Sequence, residues 1–289
     1  MIDGWDEYHL INNELANLVK DLPRTDLGEV IDYVLSNPGK RVRPLILIFS
    51  SRAFGSSSEK AMNAALAIEL VHAASLVHDD ILDYGIERRG SPSTSERYGS
   101  DAALLAGDYL ISKSIELMSP YSQLVIRSFA RACLDMAEGE MLDLSINCSP
   151  DEYYHCISKK TASLFAASAK IGCIIGGAPE GDVARFERYG MHLGLAYQIL
   201  DDLEEHLGMD QGKASKKASV TLPRIYREQY SEEITLQMCI KSINEHCSSA
   251  KKALTGTSGD IEMVACLEEL IDRMTIRGLE RCKLLRNLC

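Results

Sequence analysis

The sequence predicts an all-α protein, and three observations support this prediction. The segments between prolines are rich in Ala, Leu, Ile, Met, Glu and Lys, which favour helices. Alternating runs of β-branched residues bounded by turn residues, which would indicate strands, are nearly absent. The 8 prolines fall between the apolar segments, where helices begin or end. With 289 residues, 46% of them hydrophobic, the chain can form one large core, so we expect a single domain over residues 1–289.

The elements follow in order along the chain. The helix Leu45–Phe54 is opened by Pro44 and closed by a Gly/Ser-rich turn. The next helix, Glu59–Leu82, is apolar on most faces, as expected of a buried helix, yet it ends in a cluster of charge, which predicts a functional site there. Polar, Lys- or Gly/Ser-rich stretches at 208–218 and 253–259 are predicted to be surface loops. The remaining predicted helices are Ala102–Met118, Ser122–Leu144, Glu152–Ile175, Val183–His206, Thr221–Arg227, Glu232–Ala253 and Ile261–Arg286.

Composition and charge exclude several classes of protein. The 31 basic and 42 acidic residues give a formal net charge of −11, which would repel a nucleic acid. The longest uncharged stretch, Gly190–Leu200, is much shorter than the roughly 18 apolar residues of a membrane span. The N-terminal residues are acidic and do not resemble an export signal. Nine cysteines without a C-x-x-C pair are predicted to be reduced thiols, so we expect a cytoplasmic protein.

A first cluster of carboxylates, Asp79, Asp80 and Asp83, ends the second predicted helix. On a helix their spacing places them on one side within about a turn, where they repel unless a hard divalent cation such as Mg²⁺ lies between them. The spacing alone is weak evidence, because 42 acidic residues in 289 produce about one such triplet by chance. The same spacing recurs without a neighbouring basic motif at Glu268, Glu269 and Asp272, which are predicted to be a solvated helix face.

A second cluster, Asp201, Asp202 and Glu205, follows the apolar stretch Gly190–Leu200. Two acidic clusters that each end a buried helix could face each other across a cavity and hold several Mg²⁺ ions, up to three with substrate bound. Such ions would stabilise the charge of a departing diphosphate. The alternative for each cluster by itself is a solvated helix face.

Basic residues are placed where a diphosphate would need them. Three cations, Lys40, Arg41 and Arg43, lie just before or at a helix N-terminus, which itself attracts anions. Arg88 and Arg89 follow the first aspartate cluster, and guanidinium groups suit phosphate oxygens. A solvated basic turn is the alternative for the first group.

Three further residues are candidates only because of the neighbouring acidic and basic clusters. His72 lies seven residues, or two helical turns, before Asp79, although a lone histidine in an apolar helix is more often a core residue. Lys160 and Thr161 open another apolar stretch, where a lysine is usually at the surface.

These residues resemble the motifs of trans-polyprenyl diphosphate synthases. The most specific part is the run 70–83 followed by Arg88-Arg89-Gly90, which is similar to the first aspartate-rich motif of that family. The resemblance extends in order from about residue 39 to 223. It implies the all-α isoprenoid synthase fold, a bundle of about a dozen helices around a central cavity, usually as a homodimer. The other matching positions are Gly39-Lys40-x-x-Arg43-Pro44, Gly107-Asp108, Gly139-Glu140, Lys160-Thr161 with Leu164-Phe165, Tyr197-Gln198-Ile199-x-Asp201-Asp202 and Thr221-Leu222-Pro223.

The resemblance also implies roles and a reaction. The family joins isopentenyl diphosphate head to tail to an allylic prenyl diphosphate in a Mg²⁺-dependent reaction that releases pyrophosphate. The diphosphate of isopentenyl diphosphate would bind Lys40, Arg43, His72 and Arg89, with Arg41 beside them. The allylic substrate would bind Arg88, Lys160, Thr161 and Gln198. The metal ligands would be Asp79, Asp83 and Asp201, with Asp80, Asp202 and Glu205 as further candidates. Two alternatives stay open, a terpene cyclase and a non-catalytic subunit of a heteromeric synthase.

Two departures from the family pattern put contacts in doubt. Glu205 stands where the family commonly has Asp, and Ser219 where it commonly has Lys. One of Lys213, Lys216 and Lys217 could replace that lysine.

Product length depends on the residues behind the first cluster. The family places an aromatic residue four or five positions before the first aspartate when products are short, and here those positions are Ser75 and Ala74. Val71 and Ile68 lie further down the same helix. We therefore expect all-trans products of about C20 or longer.

Overall fold

A computed structural model describes residues 2–37, 39–144, 149–209, 213–215 and 220–286, with the backbone alone for 213–215 and for the residues after Cys282. The predicted all-α class is confirmed over these residues. The helices are α1 (Asp6–Lys20), α2 (Asp26–Leu35), α3 (Val42–Arg52), α4 (Ser58–Leu82), α5 (Thr94–Tyr98), α6 (Ser100–Met118), α7 (Gln123–Asp143), α8 (Pro150–Ile157), α9 (Ser163–Gly176), α10 (Glu180–His206), α11 (Leu222–Arg227), α12 (Glu232–Leu254), α13 (Ile261–Ile271) and α14 (Arg277–Arg286).

The predicted helices are present, but three further helices were not predicted and two predicted helices are divided. The N-terminal helices α1 and α2 and the short helix α5 were not predicted. The predicted helix Glu152–Ile175 is divided by a π-helical turn at Ser158–Ala162, and Ile261–Arg286 by another at Asp272–Ile276. A π-helical turn inserts an extra residue without breaking the apolar pattern, so hydrophobic periodicity does not reveal it.

A small antiparallel sheet follows α4. It contains β1 (Gly85–Arg88), β2 (Ser91–Pro92) and β3 (Lys213–Ser215) in the order β2-β1-β3. Arg88 is paired in register with Ser91 on one side and with Lys213 on the other. The stretch predicted to be a loop at 208–218 therefore contributes a strand beside Arg88.

The chain divides into two compact units, each built from separate stretches of sequence. The first unit holds α1, α2, the sheet, α5, α6 and the part of α4 from Met62 onward. The second unit holds α7 to α14, most of α3 and the start of α4. The single domain expected over 1–289 stays a prediction.

The helix α4 is long and apolar enough to cross a membrane by length and composition, and among the described residues it alone meets that test. However, 67% of its most apolar stretch is buried inside the protein, as in the core helix of a soluble protein. Ala64, Ala67 and Ile68 are completely buried. Burial among other helices accounts for the apolar surface that the sequence gives α4 on most faces.

Two smaller predictions are also confirmed. The triplet Glu268, Glu269 and Asp272 lies on a surface, where Glu269 pairs with Arg273 and Asp272 with Lys251. The cysteines whose side chains are described are free thiols, namely Cys133, Cys156, Cys173, Cys239, Cys247, Cys266 and Cys282.

Candidate active site

The three aspartates of the first cluster, at the end of α4, have different surroundings. Asp80 is buried, and both of its carboxylate oxygens accept hydrogen bonds from the Arg88 guanidinium, from Nε and from Nη2, each at 2.8 Å. Asp79 and Asp83, four residues apart, share one helix face, and Asp80 is rotated about 100° from it. The spacing therefore brings two carboxylates together, and the third one anchors β1.

An open pocket in the first unit collects three of the predicted cations, and the carboxylates of Glu69 and Asp80 also line it. Its volume is about 570 Å³ including the mouth, and its lining includes Arg41, His72, Arg88 and Arg89. A Cβ atom on Gly39 would lie 3.0 Å from Arg41 Nη1 and 3.4 Å from Arg89 Nη1, so both guanidinium groups approach this glycine. The grouping of these cations in one concave site is what a diphosphate requires.

Arg41 differs from the other cations of the pocket, because its own protein partners hold it. Its Nη1 lies 2.6 Å from Glu69 Oε1, and both side chains of this pair are less than a tenth exposed. Its Nε donates to Asn12 of α1. Arg41 also has a left-handed backbone with φ of 51°, which strains a residue with a side chain. The predicted contact of Arg41 with substrate stays a prediction, and its visible role is to fix the 39–43 segment against α1 and α4.

His72 is held neutral by its surroundings. Burial lowers its pKa well below 6.5, and the positive charges of Arg43, Arg89 and Arg88 lower it further. At neutral pH the imidazole therefore adds a hydrogen-bonding group to the pocket without adding charge.

This environment makes stability depend on pH. Because the native pKa of His72 is lowered, the unfolded chain takes up a proton as pH falls through about 6.5, whereas the native chain does not, so stability is lost on the acidic side. We expect the free energy of unfolding to fall between pH 7.5 and 5.5 by about 1 kcal/mol more in wild type than in His72→Gln. Urea unfolding at the two pH values measures this difference.

The control for this experiment is His9→Gln, at an exposed position of α1. The effect of His72→Gln on the pH dependence is judged against the effect of this exposed histidine substitution. An equal fall of stability in wild type and His72→Gln would contradict the account of the partly buried, neutral imidazole.

In the second unit, Lys160 lies in the π-helical turn between α8 and α9, an irregularity often found at functional sites. Its ammonium group pairs with Glu140 and Asp143 of α7, each at 2.7 Å. A Cβ atom on Gly139 would lie 2.2 Å from the Lys160 backbone nitrogen, so only glycine allows α7 to approach this turn. The motif Gly139-Glu140 thus has a physical explanation, as the glycine gives close approach and the glutamate a partner for the lysine.

The second aspartate cluster also divides. Asp202 is buried and accepts hydrogen bonds from the Tyr153 hydroxyl, the Gln198 amide and the Leu222 backbone N–H, at 2.6, 2.9 and 3.2 Å. Burial raises the pKa of this carboxyl group to about 7, although the hydrogen bonds oppose the shift. By contrast, Asp201 and Glu205 are both exposed, and they share a helix face four residues apart.

The structure brings together many of the predicted residues, within each unit taken separately. Arg41, His72, Arg88 and Arg89 line one pocket of the first unit. Thr161, Gln198 and Asp202 form one hydrogen-bonded chain in the second. Ser219, Lys216 and Lys217 lie outside the described residues, and of Lys213 only the backbone is described. The residues that sequence reasoning missed are Glu69, Asn12, Asp143 and Tyr153, whose partners lie far away in sequence.

The donor set of the two clusters fits a hard cation such as Mg²⁺. In the part of the chain that the structure describes, no three His, Cys, Asp or Glu side chains are assembled into a complete metal site. Mg²⁺ does not require such an assembly, because it is commonly bound by one or two carboxylates together with water and substrate phosphates. Pairs of carboxylates on one helix face provide this kind of donor.

A helical fold that carries guanidinium groups and a neutral histidine in a pocket, and carboxylate pairs on helix faces, is typical of enzymes that act on diphosphates. The polyprenyl synthetase family model matches residues 24–256. The chain belongs to the polyprenyl synthetase family.

Known proteins agree with this assignment over nearly the whole chain. The chain is 44% identical, over 96% of its length and 95% of the relative, to geranylfarnesyl diphosphate synthase of Methanosarcina mazei. It is 34% identical, over 86% of its length and 82% of the relative, to geranylgeranyl diphosphate synthase of Sulfolobus acidocaldarius. A crystal structure of polyprenyl synthase from Caulobacter crescentus CB15, complexed with calcium and isoprenyl diphosphate, superimposes with a TM-score of 0.82 at 26% identity, covering 91% of this chain and 94% of that one. The chain is thus a trans-prenyltransferase.

Proposed function

We propose that the protein condenses isopentenyl diphosphate head to tail with an allylic prenyl diphosphate, giving a longer all-trans prenyl diphosphate and pyrophosphate. The observation that carries this proposal is the pocket that Arg89 lines together with the neutral His72, beside the Arg41–Glu69 and Arg88–Asp80 pairs. Such a site suits a bound diphosphate that must not be protonated or lost during the reaction. A terpene cyclase has one diphosphate to bind and no use for this second site.

The reaction begins with ionisation of the allylic substrate. Its C–O bond breaks, and the electron pair leaves with the diphosphate. The double bond of isopentenyl diphosphate then attacks the allylic cation, a new C–C bond forms, and a proton is lost to restore a double bond. Released pyrophosphate is the proposed base, because none of the described side chains is placed for that task.

The chain's own residues bind and orient the two substrates. For isopentenyl diphosphate we assign Lys40, Arg43, His72 and Arg89, with Arg41 holding their segment in place. For the allylic diphosphate we assign Arg88, Lys160, Thr161 and Gln198. Lys160 is paired with two carboxylates, so binding of the diphosphate must compete with Glu140 and Asp143. This competition lets the lysine donate to the substrate without adding a permanent excess of positive charge.

Mg²⁺, when bound, supplies positive charge that stabilises the departing diphosphate. Asp79, Asp83, Asp201 and Glu205 are the ligands that we propose. Asp80 and Asp202, which were also predicted to be ligands, have protein donors on both carboxylate oxygens, and their role as ligands stays a prediction. The calcium in the Caulobacter crescentus complex supports a divalent cation beside an isoprenyl diphosphate.

We propose products of about C20 or longer, because the positions four and five residues before Asp79 are small, and because the two relatives are named for geranylfarnesyl and geranylgeranyl products. The test is incubation of the purified chain with radiolabelled isopentenyl diphosphate, farnesyl diphosphate and Mg²⁺. Label should enter prenyl products longer than C15. If no label enters a longer product, the proposed function is wrong.

We also propose that the protein is a cytoplasmic homodimer. The helix α7 carries large apolar side chains that are exposed, with Leu134 at 58% and Met141 at 69%. These two residues are seven apart and lie on one helix face. Exposed apolar faces of this kind are usually covered by a partner, and a second copy of the chain is the partner expected for this family.

If the protein is a homodimer through α7, charged substitutions on the apolar face of that helix should lower its mass in solution. Leu134→Glu combined with Met141→Glu places two charges on the apolar face of α7, so the dimer should dissociate to a monomer of about 32 kDa. Light scattering after size exclusion measures this mass. Ser248→Glu, at an exposed position of α12, is the control and should leave the dimer intact. A wild-type protein that is monomeric at micromolar concentration would contradict the proposal.

A further inference from the structure

Tyr153 of α8 is a buried residue that no motif singled out. Its side chain is 2% exposed, and its hydroxyl group donates a hydrogen bond of 2.6 Å to Asp202 Oδ2. A buried tyrosine hydroxyl that donates to a carboxylate fixes the position of that carboxylate. Separating the two groups would leave both buried without a hydrogen bond, at a cost in free energy.

The Asp202 carboxylate accepts hydrogen bonds from two other donors as well. The Leu222 backbone N–H, at the start of α11, shares Oδ2 with Tyr153 at 3.2 Å. The Gln198 amide Nε2 donates to Oδ1 at 2.9 Å, one helical turn before Asp202. The carboxylate is therefore held from α8, α10 and α11 at once.

The orientation of Gln198 follows from this arrangement. Its amide nitrogen is used by Asp202, so its carbonyl oxygen must face the other way, and there it accepts a hydrogen bond of 2.8 Å from Thr161 Oγ1. Thr161 is adjacent to Lys160 in the π-helical turn. A continuous chain of hydrogen bonds thus leads from Tyr153 through Asp202 and Gln198 to Thr161.

We propose that Tyr153 is a positioning residue for the allylic diphosphate, acting through Asp202 to fix the Gln198 amide and the Thr161 hydroxyl. The inference rests on the proposed function, since it takes Thr161 and Gln198 to bind the allylic substrate. Without the Tyr153 hydroxyl, Asp202 Oδ2 loses its shorter hydrogen bond and keeps the longer one, of 3.2 Å, from the Leu222 N–H. The carboxylate and the amide can then rotate, and the Thr161 hydroxyl is no longer held for substrate.

The experiment compares Tyr153→Phe with Tyr189→Phe. Tyr189 on α10 is the matched control, since it is completely buried and its hydroxyl donates to the Leu267 carbonyl oxygen at 2.8 Å. Both variants lose one buried hydroxyl and should lose similar thermal stability. We expect Tyr153→Phe alone to raise KM for farnesyl diphosphate about tenfold, while KM for isopentenyl diphosphate stays within about twofold. Calorimetry with farnesyl thiodiphosphate, a non-ionising analogue, and Mg²⁺ should give an affinity about tenfold lower.

A second variant tests the next residue in this series of hydrogen bonds, Gln198. Gln198→Leu should raise KM for farnesyl diphosphate as well, and its combination with Tyr153→Phe should be little worse than Gln198→Leu alone, because both changes remove the same arrangement. Equal effects of Tyr153→Phe and Tyr189→Phe on this KM would overturn the inference, and so would equal increases of KM for both substrates. An inactive wild type would instead refute the proposed function, and in that case failure of wild type to bind the thiodiphosphate would refute the inference too.

Discussion

Asp79→Ala should reduce kcat by about 1,000-fold or more while leaving the melting temperature nearly unchanged. The Asp79 carboxylate is a proposed ligand of Mg²⁺, whose positive charge would stabilise the departing diphosphate. Such electrostatic interactions contribute most of the rate enhancement in reactions of this kind. Asp79 is partly exposed at the end of α4 and lies one turn from the like charge of Asp83, so its removal costs less stability than removal of a buried carboxylate. Steady-state kinetics and thermal unfolding without Mg²⁺ measure the two effects.

The neighbouring aspartate provides the contrast. Asp80→Ala should lower the free energy of unfolding by about 2 to 3 kcal/mol, because it removes both hydrogen bonds of the Arg88 guanidinium in a mostly buried pair. If instead Asp79→Ala lowered the melting temperature without Mg²⁺ as much as Asp80→Ala, the assignment of Asp79 to chemistry and Asp80 to structure would be wrong.

Ser75→Phe should shorten the product by at least one C5 unit. Ser75 lies one turn before Asp79 on the same face of α4 and is only partly buried, so a ring there would close the space into which a prenyl tail grows. Chromatography of the dephosphorylated products measures the chain length. Ser75→Ala removes only the local hydrogen bond to the His72 carbonyl oxygen and should leave the length unchanged.

Ala74→Phe is a less suitable test of the same idea. Ala74 is completely buried, and a phenyl ring in a packed core costs about 1 to 3 kcal/mol or more through overpacking. We therefore expect this variant to lose stability, whether or not the product becomes shorter. An unchanged product length from Ser75→Phe would mean that other residues limit the growth of the prenyl tail, either beyond Val71 and Ile68 on α4 or on another helix.

The all-α class and most helix positions could be predicted because they depend on local properties. The apolar faces of α4 and α10 and the prolines between helices are visible in the sequence itself. The helix α1 was missed because only Ile11 and Leu15 of its residues are buried, so its apolar pattern is weak. The π-helical turn at Lys160 was missed because hydrophobic spacing does not distinguish it from α-helix.

The site could be predicted in its residue types but not in its pairings. Spacing placed three carboxylates near each other in each cluster, yet the middle one binds Arg88 in one case and Tyr153 in the other. Those partners are fixed by packing between distant parts of the sequence. Similarly, nothing local to Lys160 indicates that Glu140 and Asp143 hold its ammonium group.

The central claim is that this chain extends an allylic diphosphate by isopentenyl units, and pyrophosphate release tests it most directly. Purified wild type is supplied with farnesyl diphosphate and Mg²⁺, with and without isopentenyl diphosphate, and pyrophosphate and prenyl products are both quantified. The account predicts one pyrophosphate for every C5 unit added, and almost none when isopentenyl diphosphate is left out. Rapid pyrophosphate release without isopentenyl diphosphate, accompanied by a hydrocarbon product, would contradict it and would indicate a terpene cyclase.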